Sequence, residues 1–442
     1  MKHNFYQILL FYICLILFFL IFGTLILSYS LGYRYDFNKH QIIKTGIIRL
    51  NPIEKNCSIY LDGNLVNQKK NQKTIEIPNL IPNKYLIEIK CTNYQNWNKQ
   101  IDIQAGKIHN ENNILFIPIN PSIQEIAYIN QATINQSNIA YVNAEKLYIV
   151  TKESDQVQFF PQVQINPNIQ IKWLNKNIIA IINPLEDKTN IQILNIYNGN
   201  LANISLDIDL KPNQLIGIDN ITNENIYFLL QNNLFKTNIN SNSNITPTLF
   251  LENIFNPIIL NNHIYYQENN NSNTIIAYNL LFKNKTNLKF DQNITSFFLI
   301  PEKNWLLLNS NNISYIYEIY SSRLNSLNTN VSNYEISPDQ QNTLFLNDNE
   351  IVIVDNNMNT NTLLRLSSKI NGAIWKNNGN IIYATDNTIQ SIDLNGENNK
   401  IIIKNEKLYN YIVINKYQEK ILTIEKQTDQ DLLTKINLKN SN

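Results

Sequence analysis

Three patterns of apolar and polar positions succeed one another along the 442-residue chain. Residues 8–27 (ILLFYICLILFFLIFGTLIL) are apolar throughout and carry no charge. At about 1.5 Å per residue such a run crosses the roughly 30 Å hydrocarbon core of a bilayer. It predicts a transmembrane anchor over residues 1–30, with Tyr29, Tyr33 and Tyr35 following as an interfacial aromatic belt. A cleaved signal peptide is the competing reading. Its apolar region is usually about 7–15 residues long with a small-x-small cleavage site behind it. Here the run is longer and Ser28-Tyr29-Ser30 is a poor site, so an uncleaved anchor is favoured. Residues 31–44 read as a juxtamembrane linker.

From residue 45 to 118 the period changes to two. Residues 57–65 (CSIYLDGNL) alternate and then turn at Asp62-Gly63, a strong hairpin signal because the turn needs positive φ. Further short strands are expected at 74–77, 85–90 and 101–103, with turns at 82–84 and at Ala105-Gly106, and a final strand at 112–119. So many strands in about 70 residues make a small β-sandwich.

From 119 to 442 a polar turn followed by a short apolar run recurs. The clearest copies start at Pro301, Pro338, Lys376 and Asn415, and weaker ones near Asn135, Leu174, Thr222 and Asn261. Units of about 40 residues with four short strands are propeller blades. The spacing implies eight, or seven if a strand from each end completes the closing blade. Trp173 and Trp375 take matching places just before the turn and read as packing between blades. Apolar faces of period 3.6 are missing outside the anchor. The class is therefore all-β with one N-terminal transmembrane helix, a small sandwich and a seven- or eight-bladed β-propeller.

Two resemblances follow from these residues. The order Ile59-Tyr60-Leu61-Asp62-Gly63, Leu80-Ile81-Pro82, Tyr85-Leu86-Ile87-Glu88-Ile89, Tyr94-x-x-Trp97 and Ile101-x-Ile103-x-x-Gly106 resembles the PEGA domain. The namesake Pro-Glu-Gly-Ala is replaced by Glu54-Lys55-Asn56-Cys57, and Asn83 and Asn93 stand where Gly is usual. Asn tolerates left-handed turns best among non-Gly residues, so these swaps keep the geometry. The lead-in, residues 31–36 and 44–46, also looks like membrane-anchored bacterial PEGA proteins. In the propeller region, Ser337-Pro338-Asp339 with the strands after it looks like the Ser-Pro-Asp-Gly-Lys hairpin of WD40-like, TolB-type propellers, with Gln340-Gln341 in place of Gly-Lys. The first resemblance implies a cell-envelope protein whose domain binds surfaces or partners, and no catalytic residue.

Composition changes the picture in three ways. Charged residues are only 16%, below the roughly 25% usual in soluble domains. Asparagine, about 80 residues, supplies the missing polar surface, as in proteins of AT-rich genomes. The net charge of +1 with scattered Lys and Arg argues against a nucleic-acid partner. Cys14 lies in the anchor; Cys57 and Cys91 fall in two expected strands and either pair in an oxidising compartment or remain buried thiols.

No reaction is written in the residues. His3, His40, His109 and His263 are scattered, and His263 reads as a turn residue before a strand. With only 10 Gly there is no phosphate-cradling loop, and no hydrolase or metal motif appears. The acid pairs Asp207 with Asp209 and Asp355 with Asp386 are the remaining hydrolytic candidates and read as solvated blade-edge acids; the first pair shares one strand face. No catalytic, cofactor-binding or metal-ligating residue is assigned, and no cofactor is expected.

The expectation is a non-enzymatic, membrane-anchored envelope protein. It would bind or scaffold a protein or cell-wall glycan through its PEGA-like domain and propeller face. The alternative is a propeller hydrolase acting on glycan or peptide with carboxylates at the channel mouth. Arg34, Lys39 and Lys44 after the anchor, against Lys2 and the terminal amine before it, point to a cytoplasmic body. The PEGA resemblance implies an extracytoplasmic one, which is the expectation adopted.

Overall fold

The computed structural model describes the chain apart from residues 1, 38–39, 52–53, 55, 67–72, 136–137, 152–156, 167, 185–187, 208–209, 212–213, 220–223, 240–246, 261, 271, 405–407, 415–418, 427–429 and 439–442, and apart from the side chains of 2–8, 408–414 and 426. It divides into two compact units. One comprises Met1–Pro121 with Glu397–Ile402 and Leu438–Asn442; the other comprises Ser122–Gly396 with Ile403–Asn437.

The first unit begins with α1 (Lys2–Ser30). Its Leu9–Ser30 stretch is long and apolar enough to cross a membrane, and a signal sequence passes the same test. Arg34 folds back on the end of α1. Its Nη1 donates to Tyr29 O at 2.7 Å and its guanidinium lies 3.5 Å over the Tyr29 ring. This late helix carbonyl, which lacks an intrahelical partner, also accepts the Gly32 N–H at 3.2 Å, so both of its lone pairs are used. Residues expected as a linker form an antiparallel hairpin, β1 (Tyr33–Asp36) and β2 (Gln41–Lys44).

Seven strands follow: β3 (Gly46–Leu50), β4 (Cys57–Leu61), β5 (Asn64–Leu65), β6 (Ile75–Leu80), β7 (Lys84–Cys91), β8 (Trp97–Asp102) and β9 (Ile108–Glu111). They make two sheets, ordered β5-β4-β7-β8 and β6-β3-β9. Alternate residues of both sheets, among them Ile48, Leu50, Ile59, Ile77, Ile87, Ile89 and Trp97, form one apolar cluster. Asp62 and Gly63, at φ 46° and 80°, join β4 to β5 as the hairpin signal requires. Cys57 and Cys91 face each other across β4 and β7 and are bonded. Asn93 takes φ 66°, whereas Asn83 does not enter the left-handed region.

The final strand is β9, not residues 112–119. It pairs in parallel with β3, and a parallel partner about sixty residues away leaves no local turn signal. Strand β9 ends on Glu111, which is buried, with Lys99 Nζ at 2.9 Å and His109 Nε2 at 3.7 Å. Burial pushes its carboxyl up, but the His109 and Lys99 contacts outweigh this and its pKa lies below the ordinary value. A depressed carboxylate stabilises the fold above its unfolded pKa, and that contribution is lost as pH falls through the folded value. The first unit is therefore expected to lose stability in acid below about pH 4.3. Glu111→Gln should cost about 2 kcal/mol at pH 7 and flatten that acid loss. Urea unfolding at pH 7 and pH 3.5 checks both.

The second unit is a succession of four-stranded antiparallel sheets, as in a β-propeller. Sheets 1 to 7 occupy residues 131–159, 170–206, 215–251, 255–289, 296–326, 333–365 and 370–404, each in sequential strand order. Sheet 8 combines Ile123–Ile129 with Asp431–Asn437, Lys420–Lys426 and Leu408–Ile414. Second strands such as Ile178–Pro184, Trp305–Ser310 and Asn380–Thr385 are buried on both faces. That burial is why they read as continuous apolar runs instead of alternating ones. Fourth strands such as Lys285–Lys289 and Thr360–Arg365 are exposed edges rich in polar residues.

The expected repeat starts at Asn135, Leu174, Pro301 and Pro338 fall in the turn three or four residues before a second strand; Lys376, four residues before Asn380–Thr385, is instead the penultimate residue of the first strand of its sheet, Ile370–Asn377. Those at 222, 261 and 415 lie outside the described residues. Apolar clusters bridge sheets 1 and 2 (Ile149, Ile171), 5 and 6 (Trp305, Phe345), 6 and 7 (Ile353, Trp375), and 8 and 1 (Leu433, Ile139). In sheet 6, Ser337 Oγ donates to Asp339 Oδ1 at 2.7 Å and accepts the Asn342 N–H at 2.9 Å. Gln340 takes φ 58° in the position Gly holds in the resembled hairpin. Trp173 and Trp375 are equivalent: each indole N–H donates to the carbonyl forty residues earlier on the preceding sheet, Thr133 at 3.3 Å and Glu335 at 3.1 Å.

Candidate functional site

An antiparallel meander puts first-to-second and third-to-fourth turns at one end of each sheet, and the remaining connections at the other. At the latter end, sheets 1 and 2 leave a cleft of about 590 Å³, inside the 300–1,000 Å³ range of small-ligand sites. Asn130, Gln131, Asn166, Asn168 and Gln170 supply five carboxamides to its lining, and Glu145 one carboxylate. Val142 and Ile169, both buried, form part of its apolar floor.

The cleft is held from behind. Phe160, Val163 and Ile169 of the connection between the sheets belong to the apolar cluster of sheets 1 and 2. The Gln164 N–H donates to Gln192 Oε1 at 3.1 Å, and Gln192 Nε2 donates to Asn203 Oδ1 at 3.0 Å. Gln192 is buried, so this relay fixes the connection against sheet 2. Nearby, burial pushes the Lys172 amine down.

Glu145 reaches the cleft from a two-residue turn between Asn138–Asn143 and Lys146–Thr151, in which Ala144 and Glu145 adopt φ 45° and 59°. Non-Gly residues there cost about 1 kcal/mol each. Ala144→Gly is expected to raise stability by about 1 kcal/mol without moving the carboxylate, read as a higher urea midpoint. No periodic pattern announces Glu145 as a lining residue; the signal available was an Asn- and Gln-rich connection, residues 162–170, lacking strand alternation.

The sequence-based candidates do not converge. The strand before Asp207 ends at Leu206, so Asp207 is not on it; its carboxylate is exposed and pairs with Lys188 at 3.0 Å. Asp209 lies outside the described residues. Asp355 opens the third-to-fourth turn of sheet 6, whereas Asp386 lies in the second-to-third turn of sheet 7, at the opposite end. The Asp355 carboxyl is held below its usual pKa: slight burial raises it, and bonds from Asn359 and Asn357 outweigh that. Such bonds describe a turn cap, not a base. His263 is the first residue of a strand, not a turn residue, with Nε2 3.1 Å from Asn279 Nδ2 and its pKa lowered by burial. His40 and His109 lie in the first unit, and the His3 side chain is outside the described residues. Among the described residues no group of three or more His, Cys, Asp or Glu could hold a metal.

At the other end, three turns share one geometry. In 195–200, 279–284 and 318–323 the fifth residue is left-handed (Gly199, Lys283, Ser322) and donates its N–H to the carbonyl of the first at 2.9 Å. The second residue (Ile196, Leu280, Ile319) packs into the core. The third projects into solvent: Tyr197 is 90% and Tyr320 83% exposed.

No family model matches the chain, and no curated protein matches it in sequence. Among solved structures, it is similar to the Dos1 propeller (13% identity over 69% of this chain and 90% of that one, TM-score 0.45). It is also similar to a eukaryotic initiation factor (15%, 72% and 88%, TM-score 0.48) and to Hsv2 of Kluyveromyces lactis (12%, 60% and 93%, TM-score 0.43). All three scores fall below 0.5, and the fold rests on the sheet topology described above.

Proposed function

We propose that this chain is a single-pass membrane-anchored, non-enzymatic scaffold whose eight sheets close as the blades of a WD40-like propeller, and whose cleft between sheets 1 and 2 holds an uncharged polar segment of a protein partner. The carboxamide lining carries this reading. Each carboxamide offers donors and an acceptor together, the two halves of what a peptide group needs. The apolar floor takes a side chain of the segment, and a lining with one acid selects against densely charged ligands. Function on a propeller resides in such turn-built sites and not in the fold itself.

The apolar α1 supports anchoring at residues 8–27. The Cys57–Cys91 bond supports an oxidising, extracytoplasmic setting for the body, against the Lys and Arg balance. The ordered motifs and the two-sheet sandwich support a PEGA-like first unit acting as spacer or surface contact. Hydrolysis is disfavoured because Asp355 and Asp386 stand at opposite ends of their sheets.

A photo-crosslinking residue replacing Gln170 in the full chain, in its native membrane, tests the cleft. A protein adduct is expected, reduced at least tenfold by Gln131→Ala with Asn168→Ala, since two hydrogen bonds at about 1 kcal/mol each are lost. An adduct indifferent to those substitutions sinks the reading. Protease added to spheroplasts should digest the body; survival until the membrane is broken would overturn the topology. A glycan reading is favoured only by Tyr197 and Tyr320, whose rings could stack on sugar faces. It requires an adduct formed from those turns and not from the cleft.

A further inference from the structure

We propose that the β1–β2 hairpin is an interfacial membrane anchor: one of its faces lies in the headgroup layer of the bilayer that α1 crosses. This rests on the reading of α1 as an uncleaved span. Pairing places Tyr33 opposite Lys44 and Tyr35 opposite Ile42, so these four side chains share one face. Phe37, two residues after Tyr35, extends it, with the two rings edge to face at 5.1 Å. The face is open: Tyr33 is 39%, Tyr35 47%, Ile42 68% and Phe37 79% exposed.

On the opposite face the β1 residues already have their places. Arg34 Nη2 donates to Asn79 Oδ1 at 2.7 Å, and Asp36 is buried. The aromatic face is therefore not needed to pack the unit it belongs to. Its occupant follows from where the hairpin is tied. Gly32, at φ 86°, accepts both the backbone N–H and the hydroxyl of Thr45, at 2.8 and 2.7 Å. Both hairpin ends are thus pinned two residues beyond the last residue of α1. Four residues per strand reach only about 13 Å from that point. Tyr, Phe and Ile beside a Lys are the composition that settles at the lipid–water boundary, the Lys stem lying along apolar surface with its amine in water. The cation–π approach of Arg34 to Tyr29 holds β1 against the helix end, so hairpin and helix enter the boundary as one piece. Anchored at two points, the first unit would lose freedom to swing about the helix end.

The test places Tyr35→Trp or Gln41→Trp in the full chain in nanodiscs containing lipids brominated just below the headgroups. Gln41 sits opposite Asp36, on the other face. After subtraction of the signal without the added Trp, Tyr35→Trp should be quenched at least twofold and Gln41→Trp far less. Phe37→Trp gives an independent reading should Tyr35→Trp fail to fold. Equal quenching at both faces, or none at Tyr35→Trp and Phe37→Trp, overturns the proposal. Blue-shifted but unquenched emission would mean that protein covers the face, and also overturns it. The intact mass separates the two readings. A chain lacking residues 1–30 removes the anchor and this proposal together; a full-length chain without quenching removes this proposal alone.

Discussion

Trp375→Ala is expected to destabilise the second unit by about 4 kcal/mol, the usual cost of removing a fully buried large aromatic. The indole is buried in the cluster shared by sheets 6 and 7, among Leu344, Ile353, Ile381 and Tyr383. It also bridges the two sheets through its N–H to Glu335 O. Trp375→Phe separates the two effects: it keeps most of the packing, leaves that carbonyl without its donor, and should cost about 1–2 kcal/mol. Trp173 makes the same bond to Thr133 but is only half-buried, so Trp173→Ala should cost clearly less. Chemical denaturation of the three variants gives the order. A Trp375→Ala cost below that of Trp173→Ala would mean that the sheets are not held together at this edge.

Removing the Cys57–Cys91 bond, by Cys57→Ala with Cys91→Ala, should cost the first unit about 4 kcal/mol. The closed loop spans a sequence separation of 34, and the chain-entropy relation for a loop of that size gives this figure. The bond joins residues already opposite each other on neighbouring strands, so little rearrangement is expected in the folded state. Unfolding followed by circular dichroism, with and without reductant, measures the loss. The double variant should be insensitive to reductant and the parent chain sensitive. A parent chain whose two thiols react with a blocking reagent before reduction would show the bond absent, and would remove the support it lends to an extracytoplasmic body.

The sequence by itself determined what depends on neighbours along the chain. The length of the apolar run sets α1, and the two-residue period with Asp62-Gly63 sets the β4–β5 hairpin, because both are local geometry. Second strands were legible for a related reason. Sandwiched between two sheets, they must be largely apolar on both faces, and that leaves compact runs such as residues 305–308 and 381–384. Fourth strands, half in water, carry no such mark. What pairs across long separations was decided only by tertiary structure. Strand β9 is defined by β3, and sheet 8 by the meeting of Ile123–Ile129 with Asp431–Asn437. The hairpin that occupies the expected linker shows its open aromatic face only once Arg34 and Asp36 are seen turned the other way. The cleft draws Gln131, Glu145 and Asn168 from separate strands, turns and connections, and Asp355 and Asp386 fall at opposite ends because alternate turns of a meander must. Pairing and stacking of this kind depend on contacts between residues far apart in the chain, which no local period encodes.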